Sequence, residues 1–489
     1  MMVGVIIMSI FVGRQEELNS LRDLLQKRTA SLVVVYGRRR VGKSRLIKEF
    51  GRHLNMYSFT GLPPRQETTL QEQLDEFSRQ LARQLQLPYK QFADWGDAFF
   101  ELARHIRRGQ IILFFDEITW IGSCDPDFLG KLQAAWDNAF KENDELILIL
   151  CGSVSYWISK NILSSTGFYG RISLKINLKE FPMPDCNIFL EKYGSALLSA
   201  YEKLKIISVT GGIPKYLEEI KGNYTAEENI KRLCFSDAGL LFSDFNYIFS
   251  ALLQRKSDLY EKIVFALSDG DLEHGELFAK LHLAPGGSIS SYIDELIVAG
   301  FIDRFYTWNL KSGTFSKLSQ YRLKDNYLRF YLKYIKPNIP KILNGQFKGH
   351  SINALPGWAS IMGLQIENLI LNNRKEIKRM LGIYPDEVIA DNPFFQRKTA
   401  RQKGCQIDYM IQTKYGNLYV CEIKFSRNII RKDIIEEVNA KIKSLSIPRN
   451  FSIRPVLIHA GEVHDEVLDS DFFSKIINMT ELFFSSSAA

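Results

Sequence analysis

Short, unbroken runs of apolar residues stand out in the first third of the chain. They cover residues 32–36, 111–115 and 146–150. Runs of this length are typical of strands that are buried on both faces, as in parallel sheets covered by helices. Residues 45–50, after the first run, open a predicted helix. We therefore predict an α/β fold with a parallel sheet in the first half.

A different pattern follows in the middle of the chain. Residues 226–256 predict helices, and residues 258–304 predict three shorter ones. Residues 301–308 and 316–323 then alternate between apolar and polar side chains, which is typical of two strands, and the glycine-containing turn 309–314 joins them. Three helices followed by a hairpin predict a winged-helix domain.

The last third contains a linker and then a small α/β region. Proline and glycine in residues 335–358 interrupt any continuing helix, so this stretch is the clearest predicted linker. Beyond it, residues 363–371 predict a helix. Residues 406–411 and 418–424 predict two strands joined by a turn.

Composition limits the class of protein. A chain of 489 residues with 46% hydrophobic and 24% charged residues is globular and long enough for two to four domains. Its six cysteines are scattered without a C-x-x-C pair, which indicates a reducing cytoplasm and argues against zinc or a disulfide framework. The apolar residues 1–8 are too short to span a membrane and lack a basic leader, and Met1 and Met8 are both candidate starts. No membrane partner is expected.

Chemistry enters with residues 37–44, which fit the phosphate-binding pattern G-x-x-x-x-G-K-[ST] between the first strand and its helix. Gly37 and Gly42 let backbone N–H groups turn towards the β-phosphate. Lys43 reaches the β- and γ-phosphate oxygens, and the Ser44 hydroxyl ligates magnesium. The pattern therefore predicts a nucleoside triphosphate site. The positions between the two glycines complete the loop: Arg38, Arg39, Arg40 and Val41. The arginines either bind phosphate or another domain, or form a solvated loop.

Polar residues at the ends of the second and third apolar runs extend this site. Asp116 follows the second run and is the predicted magnesium residue, and Glu117 is the predicted general base that polarises water. Ser153 follows the third run. Its hydroxyl either lies near the γ-phosphate or belongs to an ordinary turn after a strand.

Together these motifs resemble the archaeal-type ATPase family, a branch of the P-loop NTPases close to the AAA+ and STAND groups. The matching segments are FVGRQEEL at 11–18, the phosphate loop, FDE at 115–117, CGS at 151–153, YGR at 169–171 and GGIPKYL at 211–217. The resemblance implies ATP as the nucleotide. It also implies that Arg14 flanks the adenine and that the segment around Pro214 closes a helical lid. Arg171 is then either a sensor of the γ-phosphate, acting between subunits of a homo-oligomer, or a surface arginine.

The predicted winged helix does not have the charge of a typical DNA reader. Its third helix, residues 288–300, carries Asp294 and Glu295 and no Lys or Arg, so DNA phosphates would repel it. We expect a packing or partner-binding role for this domain. Any DNA contact would come from Lys311 and Lys317 in the hairpin.

A second constellation lies on the C-terminal strands. Side chains alternate along a strand, so Glu422 and Lys424 point the same way, and the hairpin brings Asp408 beside them. With Glu367 from the preceding helix, these carboxylates suit a magnesium or manganese ion, while Lys424 orients water or stabilises the phosphorane in phosphodiester cleavage.

The E-x-K pattern occurs three times, at Glu219, Glu376 and Glu422, but only the last lies on an apolar strand paired with an Asp-bearing strand. This arrangement resembles the PD-(D/E)xK nuclease fold, which often follows ATPases of this kind. The alternative is a charged hairpin on a nuclease-like scaffold that cuts nothing.

Charge favours nucleic acid as the partner of this region. Residues 370–460 hold 17 Lys and Arg against 9 Asp and Glu, a surplus equal to the net charge of +8 of the whole chain. The basic residues include Arg374, Lys375, Lys378, Arg379, Arg397, Lys398, Arg401, Lys403, Arg427, Arg431 and Lys432. Such surpluses also occur on solvated surfaces.

These inferences give one functional prediction and one alternative. The prediction is a cytoplasmic, magnesium-dependent ATPase whose nucleotide cycle controls a DNA-binding, nuclease-like C-terminal domain. The alternative is an ATP-driven signalling or scaffold switch that acts on a protein partner. The predicted segments are a P-loop ATPase domain at 1–225, a helical lid at 226–256, a winged helix at 257–334, a linker at 335–358 and a restriction-endonuclease-like α/β domain at 359–489.

Overall fold

The computed structural model describes most of the chain in two compact units, Met1–Lys179 and Glu180–Ala489. The described residues are 11–63, 65, 68–153, 155–252, 257–283, 287–347, 349–400, 402–426 and 428–484.

The first unit is built on a five-stranded parallel sheet, as the apolar runs predict. Its strands are β1 (Ser31–Tyr36), β2 (Asn55–Thr60), β3 (Ile111–Asp116), β4 (Leu146–Gly152) and β5 (Ile172–Asn177), in the order β2-β3-β4-β1-β5. The three predicted runs are the central strands β1, β3 and β4, whose side chains are almost entirely buried. β4 lies between β1 and β3, so residues after β4 separate the phosphate loop from the end of β3.

Helices cover this sheet and bury its aromatic residues. They are α1 (Gln15–Asp23), α2 (Lys43–Phe50), α3 (Leu70–Leu85), α4 (Trp95–His105), α5 (Ile118–Ile121), α6 (Phe128–Asn138) and α7 (Ser155–Ile158). The face under α3, α4 and α6 contains stacked and edge-to-face rings of Phe77, Trp95, Phe99, Phe115 and Phe128. Burial of such large rings contributes most to the stability of this layer.

The second unit contains two sheets and fourteen α-helices within its described residues. Its strands are β6 (Leu272–Glu273), β7 (Ile302–Trp308), β8 (Phe315–Leu323), β9 (Val388–Gln396), β10 (Cys405–Thr413), β11 (Asn417–Phe425), β12 (Ser452–Ala460) and β13 (Lys475–Asn478). Its helices are α8 (Met183–Leu190), α9 (Ala200–Thr210), α10 (Pro214–Leu217), α11 (Ala226–Cys234), α12 (Leu240–Leu252), α13 (Ser257–Ala266), α14 (His274–Lys280), α15 (Gly287–Val298), α16 (Asn326–Phe330), α17 (Ile339–Leu343), α18 (Trp358–Asn372), α19 (Arg374–Met380), α20 (Asp433–Ser444) and α21 (Asp465–Leu468).

The larger sheet has the order β13-β12-β11-β10-β9 and carries the C-terminal candidate residues. β9, β10 and β11 are antiparallel, whereas β12 and β13 run parallel to β11. The smaller sheet, β6-β8-β7, is antiparallel: β6 lies between α13 and α14 in the chain, and the hairpin β7–β8 follows α15.

The hairpin β7–β8 packs onto the larger sheet instead of projecting into solvent. Trp308 and Leu310 belong to the same buried core as residues of β9, β10 and β11. Trp308 Nε1 donates to Gln412 Oε1 at 2.7 Å, and Gln412 Nε2 donates to the carbonyl of Leu310 at 3.0 Å. Lys311 and Lys317 remain exposed. The apolar side chains at the end of β7 thus give the hairpin a packing role, one of the two roles that its sequence allows.

The stretch predicted as a linker is also packed. Ile335, Ile342, Ile352 and Trp358 are all buried. Glu227 of α11 accepts hydrogen bonds from the backbone N–H of residue 352 and from neighbouring side chains. The structure therefore differs from the predicted linker, because apolar residues between the prolines and glycines anchor the segment. The one division between compact units follows Lys179, ahead of the predicted boundary at 225.

None of the helices in the described residues has the length and apolarity needed to cross a lipid bilayer.

Candidate functional sites

The phosphate loop connects β1 to α2 through backbone conformations that require glycine. Gly37 has a φ of 144°, and a Cβ there would lie 2.2 Å from the carbonyl oxygen of Leu178. Gly42, just before α2, has a φ of 96°. Arg40 also adopts a positive φ, of 70°. Any side chain at 37 or a β-branched one at 42 would disrupt the turn that aims the loop N–H groups and the start of α2 at one point.

Lys43 is held by the loop that contains it. Its Nζ donates to the carbonyl oxygens of Gly37 and Arg38, both at 2.9 Å, and the side chain is buried. Burial lowers the pKa of Lys43, while the charges of Glu117 and Asp116 oppose that shift. A buried ammonium that is held by carbonyl dipoles of its loop is well suited to bind phosphate oxygens.

Glu117 and Ser153 form a direct contact at the ends of β3 and β4. Glu117 has a positive φ of 50°, and its Oε2 accepts hydrogen bonds from Ser153 N at 3.1 Å and Ser153 Oγ at 3.0 Å. Asp116 Oδ1 accepts from the backbone N–H of Glu117 at 3.1 Å. The structure thus brings the predicted metal residue, general base and serine together, and it gives Ser153 a further role as the hydrogen-bond partner of Glu117.

Arg14 supports the phosphate loop from outside. It has a φ of 60° before α1, and its guanidinium donates to the carbonyl of Val41 at 3.3 Å and to that of Lys179. The guanidinium of Arg39 lies 5.6 Å from the ring centre of Trp120, in cation–π contact. Arg14 therefore fixes the loop backbone, and its predicted place beside adenine stays a prediction.

Arg171 lies away from the phosphate loop in this unit. It precedes β5, whose first residue, Ile172, pairs with Leu32 near the start of β1, whereas the loop follows the end of β1. Its guanidinium makes a bidentate pair with Asp137, with Nη2 to Oδ2 at 2.8 Å. This placement is away from the phosphate loop of the same chain, and the predicted role of Arg171 between subunits stays a prediction.

Pro214 is the first residue of α10 in the second unit. The turn before it is tight, because a Cβ on Gly212 would lie 2.1 Å from the carbonyl of Phe181. Tyr216 of the same helix donates a hydrogen bond to the buried Asp244 of α12. The segment is thus firmly anchored within its unit, and its predicted closure over a nucleotide stays a prediction.

The C-terminal candidates meet on β10 and β11. Tyr409 pairs with Cys421, which places Asp408 opposite Glu422 on neighbouring strands. Asp408 Oδ2 accepts a hydrogen bond from the backbone N–H of Ile423 at 2.9 Å. Glu422 Oε1 lies 3.2 Å from Lys424 Nζ, so these two side chains share one side of β11, as their alternation predicts.

Two further charged residues come from α20 and escaped the sequence analysis. Lys441 Nζ lies 2.6 Å from Glu422 Oε2, and Glu437 Oε1 lies 2.9 Å from Lys424 Nζ. Asp408, Glu422, Lys424, Glu437 and Lys441 are called the carboxylate cluster below. The only signal in the sequence was a Glu and a Lys four residues apart on a predicted helix, a spacing too common to single out.

Glu367 is near the carboxylate cluster but is held by another partner. Its Oε2 lies 2.8 Å from Arg322 Nη2, and Arg322 also makes a bidentate pair with Asp271. Among the residues that the structure describes, no three His, Cys, Asp or Glu side chains are grouped closely enough to hold a metal ion. The predicted three-carboxylate site is therefore only partly assembled.

Burial makes the two central carboxyls weaker acids than usual. Burial raises the pKa of Asp408, and the charge of Glu367 raises it further. Burial also raises the pKa of Glu422, with Asp408 adding to the effect. Burial alone would lower the pKa of Lys441, but the charges of Asp408 and Glu422 outweigh it and raise that pKa. The positive charge of Lys441 opposes this rise at both carboxyls.

Known proteins match the first part of the chain most clearly. Residues 11–220 match the family model of an ATPase domain predominantly from Archaea. An uncharacterised protein of Methanocaldococcus jannaschii is 26% identical over 379 residues, which are 76% of this chain and 79% of that protein. An uncharacterised ATP-binding protein of the same organism is 51% identical over 41 residues, 8% of this chain and 70% of that protein.

Among solved structures, a Walker-type ATPase of Pyrococcus abyssi superposes with a TM-score of 0.50 at 18% sequence identity, covering 66% of this chain and 96% of that one. This likeness concerns the fold. Together with the parallel sheet, the glycine-dependent loop and the buried Lys43, the family match leads to one conclusion. Residues 11–220 match this ATPase-domain family, and the first unit has the parallel-sheet fold of the P-loop ATPases.

Proposed function

We propose that the protein is a magnesium-dependent ATPase whose ATP cycle controls a nucleic-acid-binding, nuclease-like C-terminal domain. The observation that carries the C-terminal part is the carboxylate cluster, in which Asp408 and Glu422 lie on facing strands beside two lysines. ATP as the nucleotide is supported by the family match and by the name of the ATP-binding relative.

At the ATPase site, each side chain has a proposed task. Lys43 binds the β- and γ-phosphate oxygens, and the Ser44 hydroxyl and Asp116 hold the magnesium ion. Glu117 polarises the attacking water after its carboxylate leaves Ser153, to which it is hydrogen-bonded at 3.0 Å. Magnesium supplies charge neutralisation on the phosphates when bound.

At the carboxylate cluster, the proposed reaction is metal-assisted cleavage of a phosphodiester. Asp408 and Glu422 would ligate magnesium or manganese, because hard divalent ions prefer carboxylate oxygens. Lys424, which is 3.2 Å from Glu422, would orient water or stabilise the phosphorane. Glu367 would complete the site only if Arg322 released it.

Nucleic acid would approach over the basic surface around the cluster and not through the hairpin β7–β8, which is packed onto β9 and β10. The exposed basic residues of this region include Lys375, Arg379, Lys398, Lys403, Arg431 and Lys432, and also Arg397, which is paired with Glu273. Arg401 and Arg427, which belong to the same charge surplus, lie outside the described residues. The region α13 to β8 would then act as a winged-helix module that packs against its neighbour, since its third helix is acidic.

A second candidate, a scaffold or signalling switch with an inactive C-terminal domain, is favoured by one observation. Glu367 is engaged by Arg322, and Glu422 is already paired with two lysines. In this second candidate, ATP binding would control the binding of a protein partner, and no phosphodiester would be cut.

Cleavage assays on the purified full-length protein separate the two candidates. Supercoiled DNA and single-stranded RNA are incubated with magnesium or manganese, using wild type, Glu422→Ala and the matched control Glu436→Ala, which removes an exposed carboxylate of α20. The nuclease proposal expects nicking by wild type and Glu436→Ala, loss in Glu422→Ala, and ATPase activity intact in all three. Absence of cleavage, together with absence of calorimetric metal binding without nucleotide, would leave the switch.

A further inference from the structure

The carboxylate cluster contains two lysines, and they differ in what they face. Lys424 Nζ lies between Glu422 Oε1 at 3.2 Å and Glu437 Oε1 at 2.9 Å. Lys441 Nζ contacts the other oxygen of Glu422, Oε2, at 2.6 Å. The Glu422 side chain is 3% exposed, whereas that of Lys441 is 25% exposed. Each oxygen of the buried carboxylate therefore has its own ammonium partner.

An open cavity of about 550 Å³ adjoins only one of these lysines. Its described lining includes Asp408, Gln406, Glu437, Lys441 and Ser444. Neither Lys424 nor Glu422 is among the described residues that line it. The volume lies in the range of sites that hold a small ligand or one unit of a polymer. Lys441 is thus the cation that reaches the buried carboxylate and faces open space beside Asp408.

We propose that Lys441 is the phosphate-binding residue of the carboxylate cluster: it neutralises Glu422 without a metal and binds a backbone phosphate in the cavity once a divalent cation takes its place. This inference rests on the proposed function, because it concerns the same centre and its nucleic-acid substrate. It assigns the cavity to a phosphate of the nucleic-acid chain.

Lys441 would leave Glu422 because the lysine and a divalent ion would compete for the same carboxylate oxygen. A divalent ion on Asp408 and Glu422 would approach Glu422 Oε2, which Lys441 now contacts at 2.6 Å. Two cations so close together repel, so the ammonium must move away from the carboxylate. The adjoining cavity offers the space, and a phosphate group supplies the negative charge that both the ion and the ammonium then need.

If a divalent ion displaces Lys441 from Glu422, substitution of Lys441 should affect the binding of the ion and the binding of DNA in opposite directions. Lys441→Gln removes the competing cation, so manganese should bind several-fold more tightly in calorimetry without nucleotide. The same variant should bind a DNA oligonucleotide more weakly when calcium is present, and the slope of log affinity against log salt should fall by about one unit. Without a divalent ion, Lys441 is occupied by Glu422, so the variant should bind DNA like wild type.

Two controls are available on the same helix. Lys443→Gln removes an exposed lysine two residues away and should leave manganese affinity unchanged. Any loss of DNA affinity in this variant should be the same in the presence and absence of calcium. Lys441→Arg retains the charge and should restore the calcium-dependent salt slope, which a purely structural role of Lys441 would not require. Circular dichroism of each full-length variant checks folding, and Lys441→Arg provides the test if Lys441→Gln does not fold.

The possible failures are distinguishable. If wild type binds no divalent ion without nucleotide, the metal centre itself is wrong, and both the proposed function and this inference fall. If wild type binds the ion and DNA, but Lys441→Gln behaves like Lys443→Gln in both assays, only the assignment of Lys441 is overturned. A loss of manganese affinity in Lys441→Gln would also overturn it, because the lysine would then support the ion and not compete with it.

Discussion

Lys43 in the phosphate loop is held by carbonyl groups of its own loop, whereas Lys424 and Lys441 in the carboxylate cluster are held by carboxylates from other elements. Carbonyl dipoles position an ammonium without cancelling its charge, so Lys43 keeps its full attraction for an anion. A paired ammonium must first break an ion pair. The first centre is therefore preorganised for an anion, and the charges of the second are balanced by its own lysines.

The same contrast separates the acids of the two centres. Glu117 accepts hydrogen bonds from Ser153, a neutral partner that can be exchanged for water at little cost. Glu422 is buried between two lysines, and Glu367 is held by the buried Arg322. Neutral hydrogen bonds suit a residue that must move in each catalytic cycle, while buried ion pairs suit a site that changes only when another ion enters.

The largest effect should follow loss of the ammonium at the first centre. Lys43→Ala removes the ammonium proposed to bind the β- and γ-phosphates, so ATP hydrolysis should fall by about 10²–10³-fold or more and ATP binding should weaken strongly. Equilibrium binding of a fluorescent ATP analogue and a phosphate-release assay measure both. Lys48→Ala, on the same helix, is the control. Tight ATP binding by Lys43→Ala would contradict a preorganised ammonium.

Glu117→Gln tests the second half of the first centre. The amide can still accept from Ser153 but cannot take a proton from water, so hydrolysis should fall by about 10²–10⁴-fold while ATP binding is retained. Ser153→Ala should have a smaller effect on turnover, since it removes a positioning contact only. Wild-type turnover in Glu117→Gln would rule out this glutamate as the base.

The two centres also differ in how far the sequence alone could predict them. The phosphate loop occupies eight consecutive residues, and its geometry is local: Gly37 and Gly42 adopt conformations that need glycine, and Lys43 contacts the loop itself. The hydrophobic runs likewise predicted the central strands, because burial on both faces leaves a visible pattern. The order of those strands, with β4 between β1 and β3, depends on connections that the pattern does not contain.

The carboxylate cluster could be predicted only in part. Alternation along β11 placed Glu422 beside Lys424, but Lys441 comes from a helix that packs on the sheet from further along the chain. Arg322 reaches Glu367 from β8, 45 residues earlier. Which distant elements meet is decided by packing of apolar faces, such as Trp308 against β9 and β10, and single-sequence patterns do not encode that choice.

Arg322→Met should show how strongly the second centre depends on charge balance. The substitution leaves Asp271 and Glu367 without their shared cation in a buried position, so the free energy of unfolding should fall by about 3–5 kcal/mol. Urea denaturation monitored by tryptophan fluorescence measures the change. Lys324→Met, two residues along, breaks a more exposed pair with Asp303 and should cost about 1 kcal/mol or less. Equal losses of unfolding free energy in the two variants would mean that the buried ion pairs of Arg322 stabilise the fold no more than the exposed pair of Lys324.

Arg171→Ala tests whether the ATPase site at the phosphate loop is complete within one chain. Arg171 directly precedes β5, at the opposite end of that strand from the loop, so we expect any catalytic role to act on the nucleotide of a second subunit. If that role exists, ATP should promote self-association in analytical ultracentrifugation, and the variant should lower turnover without weakening ATP binding. Full ATPase activity in a protein that remains monomeric would mean that the pair with Asp137 is structural only.

The smallest expected effect concerns the pH dependence of stability at the second centre. Burial, with Glu367 as a further cause, raises the pKa of Asp408 in the folded protein above its value in the unfolded chain. Between those two values the folded state binds more protons, so stability falls as the pH rises through that window. At neutral pH the charged Asp408 therefore destabilises the metal-free fold, and Asp408→Asn should raise the melting temperature slightly.

The advantage of Asp408→Asn should shrink as the pH is lowered towards the ordinary carboxyl value of about 3.9, where wild type is also neutral. Manganese should reverse the order of the two proteins, because an ion that binds only folded wild type stabilises it by mass action. The exposed Asp386→Asn is the control and should show neither effect. Thermal denaturation across pH, with and without manganese, measures all three proteins. A melting temperature of Asp408→Asn below that of wild type at neutral pH without metal would mean that the hydrogen bond from Ile423 outweighs burial, and that the charged Asp408 is held by a backbone dipole, as Lys43 is in the phosphate loop.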